Sequence, residues 1–156
     1  HLQKARFMRR TTFISAIVAF VLLTLSVRTN AQADVLENSA LSYFSNPFIP
    51  TNRPFKAILT GDETTEFRTT LFSGTTYRIA VGNKGEDAEQ HVIFNVYDGN
   101  RNLLFSNHDY NNAPYWDFTV EGYMDCIIEA KLDESITSSG FVVLMTGFQL
   151  NSDEFK

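Results

Sequence analysis

This chain is poor in the residues that do chemistry. Its 156 residues include one cysteine, Cys126, three histidines and one tryptophan. A single cysteine makes no internal disulfide, so an apolar core has to hold the domain together. The longest apolar run, Phe13 to Leu25, covers 13 residues, short of the roughly 20 that span a bilayer as helix. Basic charge is scarce too: beyond position 33 only 8 Lys and Arg stand against all 18 Asp and Glu, a net charge of −10 (8 − 18). So acidic a chain is excluded from binding nucleic acid through its phosphates and is repelled by anionic membrane surfaces. Divalent cations and basic partners stay open. There is no H-E-x-x-H, no G-x-S-x-G, no phosphate-cradling glycine loop and no C-x-x-C. His91, at a strand start on a polar face, and His108, in "SNHDYNN", have no sequence signature pairing them with a nucleophile. Both are expected at the surface.

What is present begins with an export pattern. From Met8, two arginines lead into the apolar run, and Ala31-Gln32-Ala33 follows. A basic start, a short apolar stretch and a small-x-small site make a secretory signal peptide over 8–33. Residues 1–7 read as upstream residues outside the fold. Cleavage after Ala33 leaves 123 residues (156 − 33), enough for one domain with its own core. The expected location is periplasmic or extracellular, without membrane insertion after cleavage.

In "DVLENSALSYFSNPF" Leu36, Ala40, Tyr43 and Phe44 recur at helical spacing, which predicts one short amphipathic helix. Pro47, Pro50 and Pro54 then predict an extended lead-in, so 34–54 reads as helix plus linker. From Phe55 to 149 the period becomes two. Thr65, Phe67, Thr69 and Leu71 share a face, as do Tyr77, Ile79 and Val81; Val92, Phe94 and Val96; and Trp116, Phe118 and Val120. Such alternation marks antiparallel strands that cover a core on one side. "FVVLMTGF" is apolar on both faces and reads as a central strand. Ser73-Gly74, Asp98-Gly99 and Glu121-Gly122 have the composition of hairpin turns. About eight strands without intervening helices predict an all-β antiparallel sandwich, with 150–156 as a tail. In "GYMDCIIEAK" Cys126 alternates with Met124, Ile128 and Ala130. It is therefore expected in the core and inert, along with Phe94, Trp116 and Phe118.

If successive strands reverse direction, the short turns share one end of the sandwich and the longer connections share the other. That second end would gather Asp62, Glu63, Glu86, Asp87, Glu89 and Asp133, with Asp109, Tyr110 and Tyr115 beside them. Loops grouped on a rigid scaffold are the usual place for binding. The carboxylates are either solvated surface that keeps the chain soluble or oxygen donors for calcium, which takes six to eight. No cofactor is expected; calcium is the alternative if these carboxylates are donors rather than solvated surface. Asp109, Tyr110 and Tyr115 are the candidate ligand contacts. Tyr97, Tyr115 and Tyr123 point outward and suit either stacking on a ligand or cross-strand pairing.

"TTLFSGTTYRIAVGN", "VIFNVYDGNRNLLFSN", and "GYMDCIIEAKL" followed by "SGFVVLMTGF" resemble the strand and turn signals of the bacterial pre-peptidase C-terminal domain family, over about Phe55 to Phe148. The resemblance implies a jelly-roll-like sandwich and a non-catalytic module of the kind that accompanies secreted hydrolases. Some members bind calcium, but no ligand motif carries over to residues here. With no catalytic domain in this sequence, the expectation is an exported binding or interaction module. Its partner would be an envelope or secreted protein, a glycan or an ion. Two alternatives stand beside it: a small hydrolase using loop carboxylates such as Asp109 and Glu86, and a structural subunit of an envelope assembly docking through 34–54.

Overall fold

A computed structural model describes residues 30–85 and 87–149. The chain divides into two compact units, His1–Gln32 and Ala33–Lys156. Of the first, only residues 30–32 are described, as helix, so most of the expected signal peptide lies outside the described residues. No described helix is long and apolar enough to cross a membrane.

The second unit is an all-β sandwich. Its strands are β1 (Phe48–Thr60), β2 (Thr64–Leu71), β3 (Thr76–Val81), β4 (Val92–Asp98), β5 (Leu103–Ser106), β6 (Tyr115–Thr119), β7 (Met124–Leu132) and β8 (Ser139–Gln149). One sheet runs β1-β8-β3-β6 and the other β2-β7-β4-β5, with every pairing antiparallel. That order is a jelly roll, two four-stranded sheets filled by successive strands crossing from one to the other. Only 98–102 joins two paired strands, β4 and β5. The turns at Ser73-Gly74 and Glu121-Gly122, expected as hairpins, instead arch between the sheets. A glycine turn serves both geometries, so composition does not separate them.

The inner faces follow the period-two reading. Ile79, Val81, Val92, Phe94, Val96, Cys126, Ile128, Val142 and Leu144 form the buried core between the sheets, with Trp116 and Phe118 packed against it. β8 lies between β1 and β3, the central place its two apolar faces predict.

Its outer residues Val143 and Met145, with Ala80 of β3, are buried as well. The N-terminal segment, helical to residue 41, lies against the same sheet. Leu36 and Ala40 are buried. Glu37 pairs with Lys56 of β1, Ser39 Oγ accepts from the Asn83 amide, and the Tyr43 carbonyl accepts from Arg78. The backbone at Gly82 comes so close to Leu36 that a Cβ there would overlap the Leu36 carbonyl. Burying one leucine is worth about 2 kcal/mol, and each polar tie fixes the register of the segment on the sheet. The segment read as an alternative docking arm is thus bound along one side to its own domain, with Val35, Leu41 and Ile49 left exposed.

β1 starts at Phe48, earlier than the three prolines suggest. It is an edge strand, where a residue lacking an N–H is tolerated. Its register against β8 slips between Thr51↔Thr146 and Phe55↔Leu144, so residues 52–54 bulge out of the ladder.

Candidate functional site

The long connections do meet at one end. Asn112 ties three of them together: its Nδ2 donates to the Gln90 carbonyl at 3.1 Å and to Asp133 Oδ2 at 2.7 Å, and its Oδ1 lies 3.1 Å from His108 Nδ1. Asn107, fully buried, accepts from the Phe94 amide at 2.8 Å and donates to the carbonyls of Val92 and Ala113. The Gly61 amide donates to Ser138, joining the β1–β2 turn to the β7–β8 loop. These amides hold loops to each other, as buried polar groups must. A shallow hollow of about 350 Å³ remains among Glu89, Gln90, His108, Asn112 and Asp133.

The carboxylates weighed as calcium donors form no donor group among the described residues. Among the described residues no three His, Cys, Asp or Glu side chains come close enough to hold a metal ion. Asp133 already accepts from Ser135 and Asn112, and these bonds hold its carboxyl below the usual range. Glu63 turns back to accept from the Thr60 amide. Asp62, Asp87 and Glu89 are exposed, and Glu86 lies outside the described residues.

The candidate ligand contacts separate as well. Tyr115 is occupied: the Arg78 guanidinium sits 4.5 Å from its ring and 3.9 Å from that of Phe48, and Tyr43 packs 5.3 Å away. Arg78 also clasps both Asp117 carboxylate oxygens at 2.7 Å. This cluster fastens the N-terminal segment to the sheet. Tyr110 is 64 % exposed but stacks on Phe105, 5.5 Å between centroids. Asp109 is exposed in the short 3₁₀ helix Asn107–Tyr110. His91, expected at the surface, is 2 % exposed; its Nε2 meets the Phe141 carbonyl at 3.0 Å and its buried Nδ1 has no partner. Burial holds its pKa below the ordinary 6.5.

A larger opening lies toward the opposite end, and the sequence reading missed it. The two edges of the sandwich close differently. At the β5/β6 edge a ladder of rings bridges the sheets: Tyr110 on Phe105, Phe105 on Trp116 at 4.2 Å, and Trp116 on Phe118 at 4.5 Å. At the β1/β2 edge Phe55 stacks on Phe67 at 5.0 Å. Beyond that pair the inner positions become small, with Thr51 and Thr146 on one sheet and Thr69, paired with Cys126, on the other. Side chains of that size do not meet across sheets packed about 10 Å apart. The result is a cleft of about 660 Å³, lined by Phe55, Phe67, Tyr77, Phe118, Ile128, Leu144, Phe148 and these threonines. Cys126 lines it too but is fully buried, and burial pushes its thiol up to about 11. Arg53, from the bulge, borders the cleft and is exposed; Arg68, between the inward Phe67 and Thr69, falls on the outer face of its sheet. The sequence signal for the cleft is a run of threonines at inner positions where neighbouring turns of the pattern carry Phe, Ile or Leu.

No family model matches this chain, and no curated protein does. Among solved structures, the crystal structure of PliG, a periplasmic lysozyme inhibitor of g-type lysozyme from Aeromonas hydrophila, is similar over 64 % of this chain and 85 % of that one, at 14 % identity and a TM-score of 0.45.

Proposed function

We propose that this chain is an exported, non-catalytic binding module whose ligand sits in the cleft between its two sheets. The observation that supports it is the cleft itself. Its volume of about 660 Å³ falls within the roughly 300–1,000 Å³ typical of small-molecule sites. Half-buried aromatic rings line it, Phe67, Tyr77, Phe118 and Phe148 among them. Leaving such rings partly wetted forgoes burial that larger residues at Thr69 or Thr146 would supply. The likeness to pre-peptidase C-terminal domains is a proposal of the same standing and agrees with an accessory, binding role. Export rests on the 8–33 pattern, and the mass of the secreted chain tests it: a mature protein should begin at Asp34.

The test of the binding reading is a thermal-shift screen of small apolar compounds against the wild type and Thr69→Trp, whose indole takes up part of the cleft. Compounds that raise the wild-type melting temperature and leave Thr69→Trp unmoved support the assignment. No active compound, or compounds acting equally on both proteins, would sink it.

A further inference from the structure

The inner walls of the cleft carry no charged side chain. No carboxylate borders it, and of its three arginines only Arg53 is placed at the opening. Arg68 alternates with the inward Phe67 and Thr69. Arg78 alternates with Tyr77 and Ile79, and its guanidinium is spent on Asp117 and the Tyr43 carbonyl. Both fall on the outer faces of their sheets. Arg53 is exposed, where water and salt screen it.

Hydroxyls are the polar groups that remain, and only some are free. Thr51 Oγ1 donates to the Thr146 carbonyl at 2.9 Å and lies 2.8 Å from Thr146 Oγ1, so that pair is satisfied. Thr69 and Thr75 are half-buried in the lining, and their hydroxyls make no hydrogen bond among the described residues. The Tyr77 oxygen accepts from the Phe72 amide at 2.9 Å, which leaves its own O–H without an acceptor among the described residues. These three groups belong to one stretch, the end of β2 and the start of β3. Around them the lining is ring and branched chain: Phe55, Phe67, Phe118, Phe148, Ile128 and Leu144.

We infer that the cleft takes a small uncharged aromatic compound bearing a hydroxyl, of the phenol class. This rests on the reading of the cleft as the ligand site. The ring lies among Phe67, Phe118 and Phe148, where offset and edge-on contacts add to the burial of area, and its hydroxyl bonds to Thr69 and Thr75. An ionised group would leave water with no opposite charge on the walls to receive it. A plain hydrocarbon would cover the threonine hydroxyls without bonding them, which costs the desolvation of each. A sugar would bring more hydroxyls than these walls can satisfy.

4-Ethylphenol, ethylbenzene and 4-ethylbenzoate, titrated by calorimetry at neutral pH into the exported protein, separate the two ideas. The proteins compared are wild type, Thr69→Val/Thr75→Val, Thr69→Ser/Thr75→Ser and Thr69→Trp. The valine pair keeps the shape of the wall and removes both hydroxyls; the serine pair keeps the hydroxyls. The inference requires the valine pair to weaken 4-ethylphenol about fivefold or more relative to ethylbenzene, the scale of one net hydrogen bond. The serine pair should keep the wild-type ratio, 4-ethylbenzoate should bind wild type more weakly than 4-ethylphenol, and Thr69→Trp should weaken every compound. A ratio that survives in the valine pair, or that the serine pair loses equally, would leave the cleft a ligand site and overturn the hydroxyl contact. Binding of ethylbenzene alone would do the same. Tighter binding of 4-ethylbenzoate than of 4-ethylphenol would overturn the uncharged ligand. Binding of none of the three compounds would overturn both readings. A wild-type dimer that Thr69→Trp dissociates would show a second copy as the occupant, against the inference.

Discussion

Cys126 and His91 are the two titratable side chains that the fold removes from water most completely, and each loses its chemistry by that burial. The Cys126 thiol, pushed up to about 11, is almost wholly protonated at neutral pH, and no cation stands beside it to reverse that. A thiol reagent at pH 8 should label the native protein roughly a hundredfold more slowly than the denatured one, because reaction needs opening of the fold. Rapid native labelling would place Cys126 at an accessible surface instead. His91 is kept neutral by burial, against the Phe141 carbonyl that favours its charged form and with Lys84 adding to the burial effect. Since its folded pKa lies below 6.5, the unfolded chain binds a proton first as pH falls. The stability this provides is complete above about pH 6.5 and drains away as pH drops from there toward the folded pKa. Melting temperatures between pH 7 and pH 5 should therefore fall in the wild type and vary less in His91→Gln. Parallel curves would remove His91 from the acid response. Alternation put His91 on the polar face, and the structure buries it instead, with its ring beside Gly140. The cover comes from another part of the chain: the Asp133 amide donates to the His91 carbonyl, and the Phe141 carbonyl lies against its ring.

At the scale of elements, the N-terminal segment and β1 show where local pattern succeeds and where it stops. Leu36 and Ala40 were readable as one helical face, and both are buried. What the segment meets was not readable, because Lys56, Arg78, Gly82 and Asn83 lie far along the sequence. Gly82 is the tightest point of that contact. Gly82→Ala would drive a methyl into the backbone of Leu36, where no side chain is free to yield. The expected cost is about 2–4 kcal/mol, the range of overpacking against backbone, read as a lowered melting temperature. A shift under about 1 °C, negligible against the several degrees such a cost implies, would mean the segment lifts from the sheet without penalty. β1 shows the converse. Its prolines signalled an interruption, and they sit in an edge strand whose bulge places Arg53 at the cleft.

The sandwich is asymmetric: one edge is stapled by stacked rings, the other opens over threonines beyond the Phe55–Phe67 pair, and the loops joined through Asn112 lie at the end away from the cleft. Closing the open edge should stabilise the sandwich. Thr69→Leu adds apolar contact across the gap and removes a hydroxyl, so it should gain about 1 kcal/mol, roughly 4 °C in a domain of this size. The same variant should bind ligand less well, since the volume it fills is the site. A loss of stability would mean that the cleft wall is already closely packed and that the opening is shallower than its outline.

Sequence alone determined the class of this protein. Alternation with period two, glycine-bearing turns and a lone cysteine on an apolar face follow from local sterics and the drive to bury apolar surface, and they led to an all-β sandwich with an inert thiol. It also anticipated that the long loops share one end, because strands that reverse direction alternate their connections. Only the tertiary structure decided which strands neighbour each other, which turns arch between sheets, and what happens to each polar group. Along the chain the acidic loops read either as solvated surface or as oxygen donors; among the described residues no three carboxylates or other metal-ligating side chains gather, and Asp133 is held by Ser135 and Asn112. The cleft was not legible along the chain either. It exists where Thr51, Thr69 and Thr146 converge from three strands, and a gap between facing side chains belongs to no single stretch of sequence.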